Sequence, residues 1–478
     1  MSLLNALRVE SSRKATKTEN GMPANTSSAN YCVDMFGTIG SARGWTEEDI
    51  IKVFSRALGE DPLVALKILF WARDVRMGAG ERRVFRICLN YLNNNYKEYL
   101  DKNMHLVPVY GRWDDLFELD NSLVFQTIAD GLKNKDGLLG KWLPRKGKIK
   151  GDHTSNFINK LRKILNLGPK DYRKLIVALS NTVEQSMCAN EWEKIEYSHV
   201  PSQAMLKYRK AFFKHDEERF QEYLDSVKSG SVKINAGAMF PYQLYDAVKN
   251  ANGAKDISVV EAQWAALPNF MEGSTEKILP ICDVSGSMCS SYFGNVTPMS
   301  VCVSLGLYIS ERNDGPFKDA FITFSSKPSL QYLKGSLTTR CRQLLKAHWE
   351  MNTDLEATFI MLLKTAIKNK IASNDMPTML LIISDMQFDR CVRNPKATAT
   401  KMIRTMYKKA GYTVPKLVFW NVNARVDQTP VMSTETNTAL ISGCSPSIMK
   451  SVLIGEIFNP TQTMLNTINT ERYAAISI

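Results

Sequence analysis

The sequence predicts a multidomain protein in which an α-helical solenoid is followed by an α/β domain with a doubly wound, mostly parallel sheet. The first observation is the helical spacing of apolar residues, which begins after Thr46 and continues for about 200 residues. The second is a series of short, wholly apolar runs from Lys277 onward, which alternate with helix-like stretches. That alternation is typical of a parallel sheet covered on both faces. The length of 478 residues also favours more than one domain.

The helical part is assigned to residues 31–270, after a polar segment at residues 1–30 that is predicted to be flexible. Thr46-Glu-Glu-Asp is an N-cap signature, and Asp61-Pro62 opens the next helix. Short connections indicate helix pairs stacked as a HEAT-like solenoid, either open or closed into a ring. Further helices are predicted over Glu81–Leu92, Trp113–Leu119, Ser122–Leu132, Asn156–Leu165, Asp171–Glu184, Ser202–Phe213 and Glu217–Ser229.

The α/β part is assigned to residues 276–455, and residues 456–478 are predicted to be a tail that packs back on the fold. Ligands of such sheets bind at the carboxyl ends of the strands, which is where Asp283 and Asp385 fall. The predicted strands are Lys277–Asp283, Ala320–Phe324, Met379–Asp385, Lys416–Asn421 and Thr438–Ser442. The helices between them are predicted over Pro298–Ser310, Leu355–Asn369 and Lys396–Ala410.

Bulk composition predicts a cytoplasmic protein without a membrane segment. No apolar run approaches the ~18 residues that a membrane helix needs, and the first twenty residues contain no apolar core of a secretory signal. Nine scattered cysteines without a C-x-x-C pair, together with five dispersed histidines, fit free thiols in a reducing compartment and argue against a zinc cluster. The net charge is +13, and the excess is shared between the helical and the α/β parts.

Three loops carry the residue types of a divalent metal site. Asp283-Val-Ser285-Gly-Ser287 follows a predicted strand, Thr353 precedes a predicted helix, and Asp385 ends another strand. Small hydroxyl residues at alternate positions after a carboxylate let a tight loop direct several oxygens to one point. Hard cations such as Mg²⁺ prefer such oxygen ligands. In the alternative interpretation, the two aspartates only cap the N-termini of neighbouring helices.

These loops resemble the von Willebrand factor A domain, a Rossmann-like fold, and its metal-ion-dependent adhesion site. The resemblance implies that Ser285, Ser287 and Thr353 bind Mg²⁺, or another divalent cation such as Mn²⁺, directly. It implies that Asp283 and Asp385 hold the ion mainly through water. One position on the metal is then open to an acidic group of a partner protein. The sequence departs from the family pattern just before Thr353, where it has Asn352 instead of the common glycine.

The pairing of a helical solenoid with such a domain resembles the TROVE module of the Ro autoantigen family. It is more closely similar to the Ro-related, DUF2828-type proteins, over residues 30–455. In Ro proteins a basic ring of helical repeats binds structured RNA on its outside and single-stranded ends in its hole. The segments that carry the resemblance are Arg73–Arg83, Val107–Leu116, Lys141–Lys146, Val183–Cys188 with Trp192, and Val200–Met205.

Basic residues supply candidate RNA contacts. Between Lys141 and Lys174 there are eleven lysines and arginines and only two aspartates, and Trp142 and Tyr172 lie among them as candidate stacking platforms. In the alternative interpretation these side chains form a solvated face and Trp142 is buried. The predicted RNA-binding residues are Arg76, Arg82, Arg83, Lys141, Trp142, Arg145, Lys146, Lys148, Lys150, Arg162, Lys163, Arg173 and Lys174.

The sequence therefore favours a non-catalytic RNA-binding protein of Ro type, in which the metal domain closes the ring or docks a partner. The alternative is a protein-interaction scaffold that grips an acidic residue of a partner through the metal, without RNA. An enzyme is not expected, because the sequence contains no P-loop and no visible nucleophile–base pair. Asp114 and Asp115 are adjacent and point in different directions on a helix, so they are interpreted as structural.

Overall fold

The computed structural model describes residues 15–145, 153–251, 253–290, 296–324, 326–344, 352–454 and 457–478. It begins with a hairpin of β1 (Ala15–Lys17) and β2 (Pro23–Asn25), which pair antiparallel. The sequence predicted a flexible segment up to residue 30, but residues 15–30 pack against the rest of the chain and bury Met22 and Ala24. The polar composition concealed this packing, because much of it consists of hydrogen bonds such as that from the Thr18 hydroxyl to the Phe388 carbonyl.

The first half of the helical part runs from Tyr31 to Leu179. Capping accounts for several of its helix starts: the side chain of Thr46 accepts a hydrogen bond from the amide of Asp49, and that of Asp61 accepts one from the amide of Val64. The helices are α1 (Tyr31–Ile39), α2 (Glu47–Glu60), α3 (Pro62–Arg73), α4 (Arg82–Asn95), α5 (Lys97–Asn103), α6 (Val107–Tyr110), α7 (Ser122–Lys133), α8 (Gly137–Trp142), α9 (His153–Ile164) and α10 (Pro169–Leu179).

The second half of the helical part contains α11 (Val183–Ala189), α12 (Ser202–His215), α13 (Glu217–Lys228), α14 (Pro241–Lys249) and α15 (Ala254–Ala265). Two predicted helices differ. The predicted helix over Trp113–Leu119 is only a short 3₁₀ turn, Trp113–Asp115. The predicted helix Asp171–Glu184 is divided at residues 180–182, where the Thr182 amide bonds the Gln185 side chain and starts α11. Helices α14 and α15 were not predicted.

The helical part returns to its own beginning. The loop before α14 contacts the loop between α3 and α4, where a Cβ on Gly80 would lie 2.7 Å from the ring of Phe240. The guanidinium of Arg43 lies within 3.4 Å of the Tyr242 hydroxyl and forms a 2.5 Å ion pair with Glu81. Helices α14 and α15 then pack on the α/β part, so both ends of the helical part contact it.

The sheet has six strands in the order β5–β4–β3–β6–β7–β8. All neighbouring strands are parallel except β4 and β5, which pair antiparallel at one edge. Strand β5 was not predicted, because its four residues alternate between exposed and more buried positions. The strands are β3 (Ile278–Asp283), β4 (Ala320–Phe324), β5 (Ser329–Tyr332), β6 (Met379–Ser384), β7 (Lys416–Asn421) and β8 (Thr438–Ser442).

Helices cover both faces of this sheet, as the wholly apolar strands predicted. The helices of this part are α16 (Pro298–Arg312), α17 (Leu337–Leu344), α18 (Leu355–Lys368), α19 (Ala399–Ala410), α20 (Met449–Val452) and α21 (Pro460–Ile468). Residues of α18 and α19 form one hydrophobic cluster with the first face. The second face shares a continuous cluster with α16, α21 and the first helices of the chain, so the two parts of the chain do not have separate cores.

Helix α1 docks directly on β8. A Cβ on Gly37 would lie 2.5 Å from the Leu440 side chain, so only glycine permits this approach. The Ser442 hydroxyl accepts a hydrogen bond from the Gly40 amide at 3.0 Å and donates one to the Phe36 carbonyl at 2.7 Å. These bonds join residues about 400 positions apart in the chain.

Residues 457–478 pack back on the helical part. The guanidinium of Arg472 and the hydroxyl of Tyr473 both bond the carboxylate of Asp74, which is fully buried at the end of α3. The Lys102 ammonium donates to the carbonyl of Ile478 at 2.5 Å. The tail thus lies against α3 and α5.

Candidate metal centre and nucleic-acid interface

Asp283 lies at the carboxyl end of a central strand and is completely buried. Strands β3 and β6 pair with Cys282 opposite Ile383, which brings the end of β6 beside this carboxylate. Asp283 Oδ1 accepts the amide of Ser285 at 2.9 Å, and Oδ2 accepts the hydroxyl of Ser384 at 2.5 Å. The Ser384 hydroxyl in turn accepts the amide of Met386. The loop therefore forms because a buried carboxylate organises the polar groups that follow two strands.

Asp385 is the second buried carboxylate of this edge. Its Oδ1 accepts the amide of Gln387 at 3.1 Å, whereas its Oδ2 is buried without a hydrogen-bond partner among the residues that the structure describes. Burial, and next the charge of Asp385, raise the pKa of Asp283 to about 7. Burial also raises the pKa of Asp385, against the opposing effect of the nearby Ser287 hydroxyl. Two buried, mutually repelling carboxylates with an unused oxygen favour a bound cation.

The hydroxyl groups complete the edge. Ser285 Oγ and Ser287 Oγ lie 3.1 Å apart, and Ser287 contacts Asp385. The loop of Thr353 is held by Asp389, whose carboxylate accepts the Thr353 amide at 3.2 Å. Thr353 is joined to the rest of the edge only indirectly. The side-chain amide of Asn20 donates both to Thr353 Oγ1 and to the carbonyl of Gln387.

The donor set fits a hard divalent cation. Two carboxylates and three hydroxyls match the oxygen ligands that Mg²⁺ prefers, with water completing an octahedron. Within the described part of the chain there is no cluster of three or more His, Cys, Asp or Glu residues, so a site built from those groups alone is not found there. The capping alternative is not matched: α16 and α18 are capped by Thr297 and Asp354, whereas Asp283 and Asp385 bond loop amides.

Sequence reasoning missed four residues of this edge. They are Asn20, Ser384, Gln387 and Asp389. Ser384 and Gln387 could have been found, because they flank Asp385 in the segment that follows β6. Asn20 could not, because no local pattern links residue 20 to residue 353.

The predicted RNA-binding residues Arg76, Arg82 and Arg83 have different environments. Arg76 and Arg82 are exposed. Burial, and next the charge of Arg112, lower the pKa of the partly covered Arg82 guanidinium. Arg83 donates to the carbonyl groups of Arg43 and Trp45, at 3.3 and 2.8 Å, and therefore contributes to the helix packing.

Several of the candidate RNA-binding residues in the segment 141–174 make internal contacts. The Arg112 guanidinium covers the ring of Trp142 at 3.7 Å, which leaves at most one face for a base. Tyr172 is buried and donates to the carbonyl of Pro144, so it is not a stacking platform. Lys141 lies 3.8 Å from Glu184, Arg145 bonds the Ser180 hydroxyl, and Arg162 bonds the Leu167 carbonyl. Lys146, Lys148 and Lys150 lie outside the described residues.

Four further basic residues of the segment 141–174 are exposed. Lys170, Arg173 and Lys174 are spaced by three and four positions along α10, so they share one face, and all three are exposed. Lys163, at the end of α9, is also exposed. None of the four forms an ion pair with any residue that the structure describes. We call these four residues the α10 basic surface.

Comparison with known proteins identifies the family. The DUF2828 domain of unknown function matches residues 18–119 and 120–275, more than half of the chain, and the DUF7788 domain of unknown function matches residues 277–475. The chain belongs to the DUF2828 family. This DUF2828 protein is 27% identical to an uncharacterised protein of Acanthamoeba polyphaga mimivirus over an alignment of 509 positions. The alignment covers 94% of the chain and 86% of that protein.

Solved structures are similar to this DUF2828 protein at a low level. The Ro (RSR) protein of Deinococcus radiodurans aligns with 90% of the chain and 93% of its own length, with a TM-score of 0.38 and 11% identity. The DUF2828 match begins after β1 and ends at residue 275, just before β3, so it covers β2 and α1 to α15. No helix among the described residues is long and apolar enough to cross a membrane.

Proposed function

We propose that this chain is a non-catalytic RNA-binding protein of Ro type. Its helical part binds RNA with structured regions or single-stranded ends, and its α/β part, which resembles the von Willebrand factor A domain, holds Mg²⁺. The observation that carries the proposal is the α10 basic surface: four exposed cations without a partner among the described residues. Three of these cations share one face of α10. Unpaired cations bind phosphates and release counterions, whereas paired cations contribute little.

Exposed apolar side chains support this assignment. Val177, one turn beyond Arg173 and Lys174, is 51% exposed, and Ile164, next to Lys163, is 53% exposed. Apolar contacts beside phosphate-binding cations suit unstacked nucleotides, whose sugars and bases offer apolar faces. A membrane or an acidic protein would be the other anionic ligands of such a surface. The family resemblance to Ro proteins favours RNA.

The α10 basic surface can be tested by removing three of its charges. The triple variant Lys170→Ala, Arg173→Ala, Lys174→Ala is expected to bind single-stranded-ended RNA at least 10-fold more weakly in a gel shift. The slope of log affinity against log salt should fall by about 2 to 3, because each phosphate contact contributes about 0.7 to 0.9. All three residues are exposed, so the fold should be retained.

The matched control removes three charges elsewhere. Lys364, Lys368 and Lys401 are exposed on α18 and α19, and their replacement by alanine makes the same change in net charge. This control should bind RNA with nearly the wild-type salt slope. Equal weakening in both variants would mean that only net charge matters. A wild-type protein that binds no RNA at low salt would contradict the proposal.

The metal centre has a structural role in this proposal. Bound Mg²⁺ would supply two positive charges between Asp283 and Asp385 and would join the loops of Ser285, Ser287 and Thr353. Its contribution is to stabilise the sheet edge for ring closure or for docking of a partner.

The adjacent carboxylates Asp114 and Asp115 bond Arg86 and Arg112, which agrees with a structural role rather than a catalytic one.

A second candidate function is a protein-interaction scaffold that uses the metal to grip an acidic residue of a partner, without RNA. The Oδ2 of Asp385, which has no hydrogen-bond partner in the described part of the chain, favours a loaded metal centre, which that function requires. Asp283→Ala is then expected to abolish Mg²⁺-dependent capture of a partner in a pull-down with EDTA as the reference, and to leave RNA binding unchanged. Capture that survives both EDTA and the substitution would contradict this candidate.

A further inference from the structure

The β1–β2 hairpin lies across the metal edge of the sheet. Gly21, in its turn, forms an antiparallel bridge with Asp389, and the carbonyl of Asn20 accepts the amide of Arg390 at 3.1 Å. The Thr18 hydroxyl donates to the carbonyl of Phe388 at 2.7 Å. The hairpin therefore pairs with the segment that follows Asp385, on the same side of the sheet as the candidate ligands.

Asn20 bonds two parts of the edge at once. Its Nδ2 lies 3.2 Å from Thr353 Oγ1 and 2.7 Å from the carbonyl of Gln387. A primary amide has two N–H groups, and this arrangement uses both. Thr353 Oγ1 accepts one of them and keeps a second lone pair for another group. Asn20 thus sets the rotation of the hydroxyl that the metal would bind.

Glu19 brings a negative charge to the same edge. Its backbone amide donates to Gln387 Oε1 at 2.8 Å, which fixes the residue beside the Asp385 loop. Its carboxylate forms a 3.1 Å ion pair with Arg425 and remains largely exposed.

We infer that the hairpin is an internal cover of the metal edge, in which Asn20 positions the Thr353 hydroxyl and Glu19 attracts the cation and repels external carboxylates. This inference rests on the proposed metal centre. It adds that part of the binding site lies in residues 18–21, more than 300 positions before Thr353 and Asp385. A partner that binds the metal through an acidic residue must first displace this turn.

Docking of the hairpin and binding of the metal must then stabilise each other. If docking of the hairpin favours metal binding by some factor, metal binding favours docking of the hairpin by the same factor. Loss of a contact that orients a metal ligand typically lowers metal affinity by about 10- to 100-fold. Loss of one neighbouring charge at an exposed position has a smaller effect, about 3-fold.

The experiment measures Mn²⁺ affinity of the full chain by electron paramagnetic resonance, for Asn20→Ala and Glu19→Gln. The first variant is expected to bind Mn²⁺ about 10-fold more weakly than wild type, and the second about 3-fold more weakly. In the Mn²⁺-loaded protein, acetate is the probe of an external carboxylate. Glu19→Gln should bind acetate more tightly than wild type, as reported by water proton relaxation.

Two matched controls carry the same chemical changes elsewhere. In Asn369→Ala, an amide that donates to the Thr365 carbonyl is lost at the far end of α18, a 14-residue helix about 21 Å long that begins beside Thr353. In Glu218→Gln, an exposed charge is lost in the helical part. Neither control should change Mn²⁺ affinity.

Hydrogen exchange provides a readout that does not depend on the variants. The amides of Gly21 and Met22, which bond Thr18, should exchange more slowly when Mg²⁺ is added to the wild-type protein. Wild-type Mn²⁺ affinity in both variants, with unchanged exchange of the hairpin, would overturn the cover and leave the metal centre intact. A wild-type protein that binds no Mn²⁺ would remove the metal centre and the cover together.

Discussion

Replacement of Asp115 by alanine is expected to lower the free energy of unfolding by about 3–5 kcal/mol, because it leaves a buried guanidinium without its counter-ion. Asp115 and Arg73 are each 1% exposed. Asp115 Oδ2 accepts Arg73 Nε at 2.7 Å and the amide of Arg112 at 3.0 Å, and Oδ1 accepts Arg86 Nε at 2.8 Å. No water can replace the lost carboxylate at this depth without a cavity opening around it.

The neighbouring residue provides the control. Asp114 is partly exposed and pairs with Arg86 and Arg112 on the outer side of the same turn. Asp114→Ala should lower the free energy of unfolding by no more than about 1 kcal/mol, as is usual for such ion pairs. Urea denaturation of both variants measures the difference. Equal effects would mean that burial of the Arg73–Asp115 pair does not govern the stability of the helical part.

The metal-free protein is expected to lose stability as pH rises from about 4 to about 7. The pKa of Asp283 is raised to about 7 in the fold, so the folded protein binds a proton that the unfolded chain releases near pH 4. Below the pKa of Asp283 in the unfolded chain, this proton adds to the free energy of unfolding. The contribution is lost as pH rises through the pKa of Asp283 in the fold. Over three pH units the loss amounts to at most about 4 kcal/mol.

Mg²⁺ should reverse this dependence. At pH 8 the ion replaces the lost proton, and at 100 times its Kd it adds about 2.7 kcal/mol to the free energy of unfolding. At pH 5 the ion must displace protons and the gain should be much smaller. Urea titrations with and without Mg²⁺ at both pH values measure this. If Mg²⁺ raised the free energy of unfolding equally at pH 5 and pH 8, this would contradict the metal centre.

Asp283→Asn separates charge from hydrogen bonding at this position. The amide keeps an acceptor for the Ser285 N–H group but carries no charge. Without metal the variant should be more stable than wild type at pH 8, and it should no longer respond to Mg²⁺. If Asp283 were only a hydrogen-bonding residue, the variant would be no more stable and the wild type would not respond either.

The strands were predictable because burial on both faces gives wholly apolar runs. Strands β4, β7 and β8 begin and end at the predicted residues, since each is five or six residues long and bounded by polar groups. Strand β5 lies at the edge with Leu330 61% exposed, and its mixed pattern gives no such signal. Burial on both faces, rather than strand propensity, therefore decided which strands could be predicted from the sequence.

The candidate ligands were predictable because parallel strands bring their carboxyl ends together. Asp283 and Asp385 come to the same edge for this reason, and their loops follow from the sequence. The turn at Asn20 was not predictable, because it bonds residues more than 300 positions away through main-chain and amide groups that leave no local pattern. The same limit applies to Tyr172, whose side chain turns inward to reach the Pro144 carbonyl.

The docking of α1 on β8 has a consequence for synthesis of the chain. Leu440 and Ser442, against which helix α1 packs, are made about 400 residues after it. At 5–20 residues per second this interval is about 20–80 s. During it the apolar side of α1, including Phe36 and Ile39, has no sheet to cover it. The nascent chain therefore exposes an apolar helix for tens of seconds, and chaperone occupancy at α1 should fall only after residue 442 is made.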